Sequence, residues 1–164
     1  MLVQSDYLIV TLMAGFEWYD ESLQNSLREA GWPHLTRPES MVFMHVQMNI
    51  VRPADIARSL RLTRQAVHST IQTLVKRGVF EMADDPTDGR IKIVQLSEMG
   101  LAMRADGREI VNRLTSELAT RISPEAVTAM SNALKGGWGE PVLIQLGDKG
   151  QRAEEFQRSL NKTS

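Results

Sequence analysis

The sequence predicts a mainly α-helical chain with one small β-hairpin. From Asp6 to Ala30, apolar residues recur at three- and four-residue steps, the period of a helix with an apolar face. Residues 84–89 are rich in Asp, with Pro, Thr and Gly, and lie between two runs with strand character, which predicts a hairpin. Ser97 then precedes another long helical pattern, to about Ile122, and is a good N-cap for it.

The first helix has an unusually broad apolar surface. Its main stripe consists of Leu8, Leu12, Phe16, Tyr19, Leu23 and Leu27. Three more apolar residues, Ile9, Met13 and Trp18, lie off that stripe. A helix that is apolar on more than one side usually has more than one neighbour. The pattern fits burial within one domain and an interface between two copies equally well.

Three shorter helices follow. Residues 36–39 have the Thr-x-x-Glu form of a capping box, which predicts a helix from there to about Val46. Residues 52–55 open the next helix, with Pro in its first turn. Thr63 is a good N-cap for a third helix, which reaches about Arg77 before Gly78 ends it.

The hairpin completes a recognisable order of elements. Val79–Ala83 and Ile91–Leu96 have strand composition. Helix, helix, turn, helix and then a hairpin is the order of a winged helix-turn-helix. The predicted fold class is therefore mainly α with a small β-hairpin wing. Helices flank it on both sides, including one from Ser123 to Lys135 and a final amphipathic helix over Gln151–Leu160.

The predicted organisation has three parts. Residues 1–34 hold the N-terminal helix, 35–100 the winged helix-turn-helix, and 101–164 the C-terminal helices and tail. One part is strongly basic: residues 51–78 carry six Lys or Arg against one carboxylate, although the whole chain has a net charge of −1. A compact positive block in an acidic protein suits the phosphate backbone of double-stranded DNA.

Several function classes are excluded by what the sequence lacks. It has no cysteine, which rules out a disulfide framework, a thiolate metal site and a cysteine redox switch. No nucleophile elbow, phosphate loop or metal motif occurs, and the three His are not at ligand spacing, so we expect no enzyme, cofactor or metal site. We also expect no membrane span, and a cytoplasmic location, because no long apolar run or signal peptide is present.

The helix after Thr63 has two faces of different character. Val67, Ile71 and Leu74 are expected to point to the core. The opposite face carries Arg64, Gln65, His68, Ser69 and Gln72. Arg and Gln can make paired hydrogen bonds to guanine and adenine edges in the major groove. The alternative is an ordinary solvated face, but such faces usually carry Glu and Lys, which this one lacks.

The segment from Leu35 to Gly100 resembles the MarR (multiple antibiotic resistance regulator) family. The strongest likeness is Asp85-Pro86-Thr87-Asp88-Gly89-Arg90, followed by Val94-Gln95-Leu96-Ser97-Glu98-Met99-Gly100. The family pattern is Asp-Pro-x-Asp-x-Arg, then a strand that ends Leu-Thr-x-x-Gly. Ser97 departs from the family's Thr but keeps the capping hydroxyl. The flanking long helices resemble the family's dimerisation arms, so the whole resemblance covers about 130 residues and excludes the tail after Gly136.

The resemblance implies a transcriptional regulator, by family analogy a repressor, that binds a pseudo-palindromic operator as a homodimer. In the family the wing Arg, here Arg90, reaches the minor groove or its phosphates, and the Asp two residues earlier, here Asp88, orients it. Asp84, Asp85 and Asp88 would together repel DNA, so we expect Arg90 to neutralise Asp88, with help from Lys92. The complete predicted DNA-binding set is Arg52, Thr63, Arg64, Gln65, His68, Ser69, Gln72, Asp88, Arg90 and Lys92.

The resemblance also implies a small effector, often aromatic or anionic, that binds between the flanking helices and the winged helix. The matching residues are Phe16, Trp18, Tyr19, Trp32, His34, Arg37, Met44, His45 and Met48. Arg37 or a His is the expected partner of a carboxylate. The competing interpretation is that these aromatic and Met side chains are core. At the level of function, the alternative is a winged helix that serves only protein–protein interaction, without an effector.

Overall fold

The computed structural model describes residues 5–144 and Arg158. In these residues the elements, in chain order, are α1 Ser5–Glu29, α2 Arg37–Gln47, α3 Pro53–Leu60, α4 Arg64–Lys76, β1 Phe80–Asp85, β2 Asp88–Leu96, α5 Glu98–Ile122 and α6 Pro124–Lys135. The predicted fold class and order of elements are confirmed. The helix predicted over Gln151–Leu160 lies outside the described residues, apart from Arg158.

Local hydrogen bonds explain where three of the helices begin. The Thr36 backbone N–H donates to the Glu39 carboxylate at 2.7 Å, as a capping box requires. At the start of α4 the Thr63 hydroxyl accepts from the Ala66 backbone N–H at 3.1 Å. The hydroxyl that caps α5 belongs to Ser97. All three caps are the residues that the sequence predicts.

The hairpin is longer than predicted, and the turn is shorter. β1 pairs with β2 in antiparallel register from Phe80 opposite Leu96 to Asp85 opposite Asp88. Only Pro86 and Thr87 remain in the turn, so the expectation of a turn over residues 84–89 was wrong. Asp is a poor strand former, but both Asp residues of β1 have cationic partners: Asp84 pairs with Lys92, and Asp85 with Arg52.

The main core lies within the segment from α2 to β2, which we call the winged-helix lobe (residues 37–96). Its largest fully buried side chains are Val42, Ile56, Val67, Ile71, Leu74, Val79, Phe80 and Val94. The ring of Phe43 stacks on that of Phe80, with the centroids 5.8 Å apart. The inward face predicted for α4 is confirmed, because all three of its predicted core residues are fully buried.

The start of α5 is fixed to the lobe by a very close approach. The Ser97 hydroxyl accepts from the Gly100 backbone N–H at 3.0 Å and donates to the Val79 carbonyl at 3.1 Å. A Cβ at Gly100 would lie 2.2 Å from that carbonyl oxygen. Only glycine leaves room for the contact, which gives a physical reason for the glycine in the motif.

The two long helices pack on each other but bury little of their own surface. The Tyr19 hydroxyl of α1 lies 3.2 Å from the Thr115 hydroxyl of α5. Of the described side chains of α1, only those of Gln24 and Leu27 are buried. Four apolar side chains near the start of α1 are more than half exposed: Leu8, Ile9, Val10 and Met13.

The chain divides into two compact units, residues 1–124 and 125–164. Nearly all of α6 belongs to the second, and none of its residues is buried. Among the described residues, no helix is both long enough and apolar enough to cross a membrane.

Candidate DNA interface and ligand cavity

The outward face of α4 is open to solvent, as the sequence predicts. Arg64, Gln65, His68 and Ser69 are exposed, and Gln72 is half-buried. The whole helix contains no carboxylate. The side chains of Arg64, Gln65 and His68 make no hydrogen bond or ion pair to any other described residue, so they are available to an external partner.

The basic block is less positive in the fold than in the sequence. Arg52 pairs with Asp85, and Arg77 pairs with Glu39. Both carboxylates lie outside residues 51–78, so the local count of charges along the chain could not include them. Within the described part of the chain, the cations of the block that have no ion pair are Arg61, Arg64 and Lys76.

The wing carboxylates are neutralised differently from the expectation. Asp88 accepts a hydrogen bond from the backbone N–H of Arg90 at 3.1 Å, so it fixes the backbone there and not the guanidinium. Lys92 pairs with Asp84. Arg90 itself is exposed, and its guanidinium has no ion pair with a described residue. The predicted Arg90–Asp88 neutralisation was therefore wrong in its pairing, and the wing presents a free arginine.

Arg52 joins the start of α3 to the tip of the wing. Its Nε and Nη2 lie 2.7 and 2.6 Å from Asp85 Oδ2, and Nη2 is 3.3 Å from the Thr87 hydroxyl. The Thr87 hydroxyl and backbone N–H both donate to Asp85 Oδ1, at 2.6 and 2.8 Å. These Thr87 bonds, reinforced by Arg52 against the opposing effect of burial, lower the pKa of Asp85 to about 2.

A second ion pair joins α2 to the end of α4. Arg77 Nη1 lies 2.9 Å from both carboxylate oxygens of Glu39, and Nη2 donates to the His34 carbonyl. Burial alone would raise the pKa of Glu39. The hydrogen bonds from Thr36 and Arg77 outweigh that effect and lower the pKa. Glu39 therefore caps α2 and holds the end of α4 with the same carboxylate.

A cavity of about 470 Å³ opens between α1, α2 and α5. Its lining includes Phe16, Tyr19 and Met44, three residues of the predicted effector set. The other apolar lining residues are Leu23, Leu27, Leu35, Phe43, Met103 and Val111. The polar lining residues are Asp20, Gln24, Ser40, Gln47, Arg104, Arg108 and Asn112. The space suits a small molecule with an apolar body, since the apolar walls are interrupted by a few polar groups.

Six residues of the predicted effector set do not line this cavity. Two of them are tied elsewhere by hydrogen bonds. The Trp32 indole N–H donates to Asp106 at 2.8 Å. His45 is buried, with its ring nitrogens 2.8 Å from the Met41 carbonyl and 2.9 Å from the Ser59 hydroxyl. His45 is thus part of the packing of the lobe, as the competing core interpretation held.

The other four lie at the surface or against neighbouring helices. Arg37 pairs with Glu17 at 3.1 Å, and its guanidinium lies over the Phe16 ring. The Trp18 ring packs edge-on against Tyr19. His34 and Met48 are exposed. Neither Arg37 nor a His is therefore placed to meet an anion in the cavity, contrary to the expectation.

The cations at the cavity are two arginines of α5 that the sequence analysis missed. Arg104 and Arg108 are one helical turn apart, and neither forms an ion pair or hydrogen bond with another described side chain. Across the cavity, Asp20 accepts from the Ser40 hydroxyl at 2.8 Å. The i, i+4 spacing of the arginines was visible in the sequence, but nothing local showed that this face of α5 meets α1 and α2.

The fold and the exposed α4 face define a winged helix-turn-helix protein. A sequence model described as the MarR family matches residues 35–91. In this segment the chain is similar to the MarR family, and its described residues share the fold of solved MarR structures. No curated protein sequence matches the chain.

Solved structures similar to this chain include MarR from E. coli in its apo form, which is 20% identical. The match covers 83% of this chain and 98% of that one, with a TM-score of 0.62. A MarR-family transcriptional regulator from Rhodococcus sp. RHA1 is 19% identical over 82% and 96%, with a TM-score of 0.58. A mutant of MepR from S. aureus, bound to an oligodeoxyribonucleotide, is 18% identical over 79% and 94%, with a TM-score of 0.52.

Proposed function

We propose that this protein is a DNA-binding transcriptional repressor that acts as a homodimer on a pseudo-palindromic operator. A small anionic molecule in the cavity between α1, α2 and α5 releases it. The observation that carries the proposal is the outward face of α4, which has no carboxylate and where Arg64, Gln65 and His68 are exposed without a partner among the described residues.

The chemistry of this face favours DNA over a protein partner. Arg and Gln are the side chains that pair with base edges in the major groove. The free guanidinium of Arg90 on the wing provides a second point of contact, suited to the minor groove or its phosphates. The MepR mutant, which has the same fold, is bound to an oligodeoxyribonucleotide, and this is consistent with the proposed role of the face.

The exposed apolar residues of the long helices support the homodimer. Leu8, Ile9, Val10 and Met13 form a contiguous group on α1, and each is more than half exposed in the single chain. Val111 and Ile122 of α5 are exposed as well. A second copy that covers these residues would bury the apolar surface and place two recognition helices about one DNA turn apart.

The cavity supports a small anion with an apolar body. Arg104 and Arg108 outnumber the single carboxylate of the lining, Asp20, which already accepts from Ser40. An aromatic or branched acid could place its body against Phe16 and Met103 and its carboxylate at the two arginines. Such a ligand would contact α1, α2 and α5 together, and α2 is joined to the recognition helix by Glu39 and Arg77.

DNA binding is tested by an electrophoretic mobility-shift assay with the DNA that lies upstream of the protein's own coding sequence. Arg64→Ala and Arg90→Ala should each weaken specific binding by about fivefold or more, because a good paired contact is worth about 1–3 kcal/mol. Arg28→Ala removes the same charge from the end of α1 and is the matched control, which should bind as the unmodified protein does. Specific binding that survives both Arg64→Ala and Arg90→Ala would show that the assigned face is wrong.

Sedimentation of the free variants separates this result from loss of the dimer, since Arg64 and Arg90 lie away from the exposed apolar group on α1. If the unmodified protein shifts no DNA but captures a protein partner through the same face, the winged helix serves protein–protein interaction instead.

Calorimetric titration with salicylate tests the effector. Salicylamide, which has the same ring but no charge, is the matched control ligand and should bind at least tenfold more weakly. Arg108→Gln should remove most of that difference without changing operator affinity in the absence of ligand. No heat of binding from salicylate or from a panel of larger aromatic acids and thioesters, together with unchanged operator affinity, would contradict the proposed effector site.

A further inference from the structure

We infer that Arg52 is a positioning residue for the wing: acting through Asp85, it holds Arg90 in place for DNA and makes no DNA contact itself. The sequence placed Arg52 among the DNA-binding residues because it belongs to the basic block. In the structure its guanidinium is already engaged. This inference rests on the proposed DNA binding and specifies how one part of that surface is built.

The contacts of Arg52 are those of a structural cation. Two of its nitrogens lie 2.7 and 2.6 Å from the same oxygen of Asp85, and Asp85 is only 6% exposed. Freeing Arg52 for a phosphate would leave that nearly buried carboxylate without its cation. A phosphate contact by Arg52 would therefore cost an existing ion pair, whereas Arg64 and Arg90 have no ion pair with a described residue to lose.

Asp85 connects Arg52 to the turn of the wing. Its second oxygen accepts both the backbone N–H and the hydroxyl of Thr87. Thr87 is one of only two turn residues, and Arg90 follows three residues later. The hydrogen bond from the Arg90 backbone to Asp88 continues the same chain of contacts. The position of Arg90 is thus defined step by step from Arg52.

The backbone beside Arg52 strengthens the attachment. The Val94 N–H of β2 donates to the Val51 carbonyl at 2.9 Å, so the residue before Arg52 is bonded to the wing as well. The register of the hairpin shifts between Asp84 and Asp85. An irregularity of this kind bends a strand and changes the direction of the side chains beside it, and the Arg52–Asp85 contact lies at that point.

The inference is tested by whether Asp85→Asn weakens or tightens binding to the operator. If Arg52 positions the wing, loss of the Asp85 charge should weaken operator binding about fivefold or more, although a negative charge has been removed from a DNA-facing surface. If Arg52 instead contacts phosphate, the same change frees it and binding tightens or stays equal. Asp84→Asn is the matched control: it removes the same charge one residue away and should leave binding equal or slightly tighter.

The Arg90→Ala background distinguishes positioning from a general loss of stability. In that background, Asp85→Asn should change operator affinity by less than about twofold, because the Arg90 side chain that would be positioned is absent. An equal loss in both backgrounds overturns the inference. Arg52→Lys adds a second variant, which keeps the charge but not the forked donors. It should weaken binding as Arg52→Ala does, whereas a simple phosphate contact would tolerate Lys.

Hydrogen exchange in the free protein tests this inference independently of the proposed DNA binding. In the free protein, Arg52→Ala should speed amide hydrogen exchange at Thr87 and Arg90 and leave the α4 core amides unchanged. Unchanged exchange at the wing overturns the inference, whatever the DNA result. Failure of the unmodified protein to bind any operator, with the wing exchange altered as expected, would contradict the proposed function and leave only the structural link between Arg52 and the wing.

Discussion

Eight of the nine largest fully buried side chains lie between Val42 and Val94, inside the winged-helix lobe. The long helices show the opposite distribution: α5 buries only Gly100 and Met103 in 25 residues. The lobe thus buries most of its apolar residues within one chain, whereas α1 and α5 leave many of theirs exposed. In a single chain, burial of apolar side chains is therefore concentrated in the lobe, and α1 and α5 leave apolar surface exposed.

The two regions also differ in how they use ion pairs. In the lobe, Glu39 is nearly buried and its carboxylate has several donors. On α1, Glu17 makes one exposed contact, with Arg37. Pairs of the first kind fix geometry because breaking them leaves a buried charge, whereas exposed pairs contribute little.

The largest expected effect is at the junction of the two regions. Gly100→Ala should destabilise the protein by about 3 kcal/mol or more, because its Cβ would overlap the Val79 carbonyl and the backbone would have to shift. Gly107→Ala on the same helix is the control: the nearest atom to its Cβ would be 3.9 Å away, so it should stabilise by up to about 1 kcal/mol. Urea unfolding measures both, and equal effects would contradict the close approach.

A smaller effect is expected from breaking the lobe's ion pair. Glu39→Ala should lower the free energy of unfolding by about 2 kcal/mol, because α2 loses its cap and Arg77 its partner. Glu17→Ala, which breaks the exposed pair of α1, should cost less than about 0.5 kcal/mol. If the two variants unfold at the same denaturant concentration, the proposed difference between the regions is wrong.

Changing the exposed face of α1 should have little effect on the lobe. Ile9→Lys is expected to change the free energy of unfolding of a single chain by less than about 0.5 kcal/mol, since Ile9 is largely exposed. It should nevertheless shift the protein from dimer to monomer in analytical ultracentrifugation. Glu21→Lys, another exposed position of α1, is the control. A dimer that persists in Ile9→Lys would place the interface elsewhere.

A further effect, confined to low pH, is expected on acid stability. The pKa of Asp85 is about 2 in the fold, below the ordinary value of 3.8. A carboxyl with a depressed pKa adds stability above its unfolded pKa and loses it as the pH falls through the folded one. The stability difference between the unmodified protein and Asp85→Asn should therefore be constant above about pH 5 and shrink between pH 3.8 and 2. Urea midpoints across this range measure it, and a difference that stays constant would contradict the assigned pairing.

The sequence alone predicted the structure correctly where the cause of a feature lies within a few residues of it. Thr36, Thr63 and Ser97 predicted three helix starts because a cap needs only a hydroxyl and the first turn of the helix. The inward face of α4 followed from its period. The length of the hairpin was missed because Asp84 and Asp85 are poor strand formers, and their cationic partners come from elsewhere.

The side-chain partners could not be predicted from the sequence because they are distant along the chain. Arg52 and Asp85 are 33 residues apart, and Arg77 and Glu39 are 38 apart. The cavity depends in the same way on how α5 lies beside α1, which explains why Arg37 was expected to meet an anion and Arg104 was not. Local pattern predicted which surfaces are apolar or basic, but not which charges remain free.

The close contact between Gly100 and Val79 fixes α5 near its N-terminal end. A helix of this length extends about 37 Å from its fixed end. A tilt of about 5° around that point would therefore displace the far end by about 3 Å. Val79 lies three residues after Lys76, where α4 ends, and one residue before Phe80, where β1 begins. A displacement of the far end of α5 would therefore act on the short segment that connects α4 to β1.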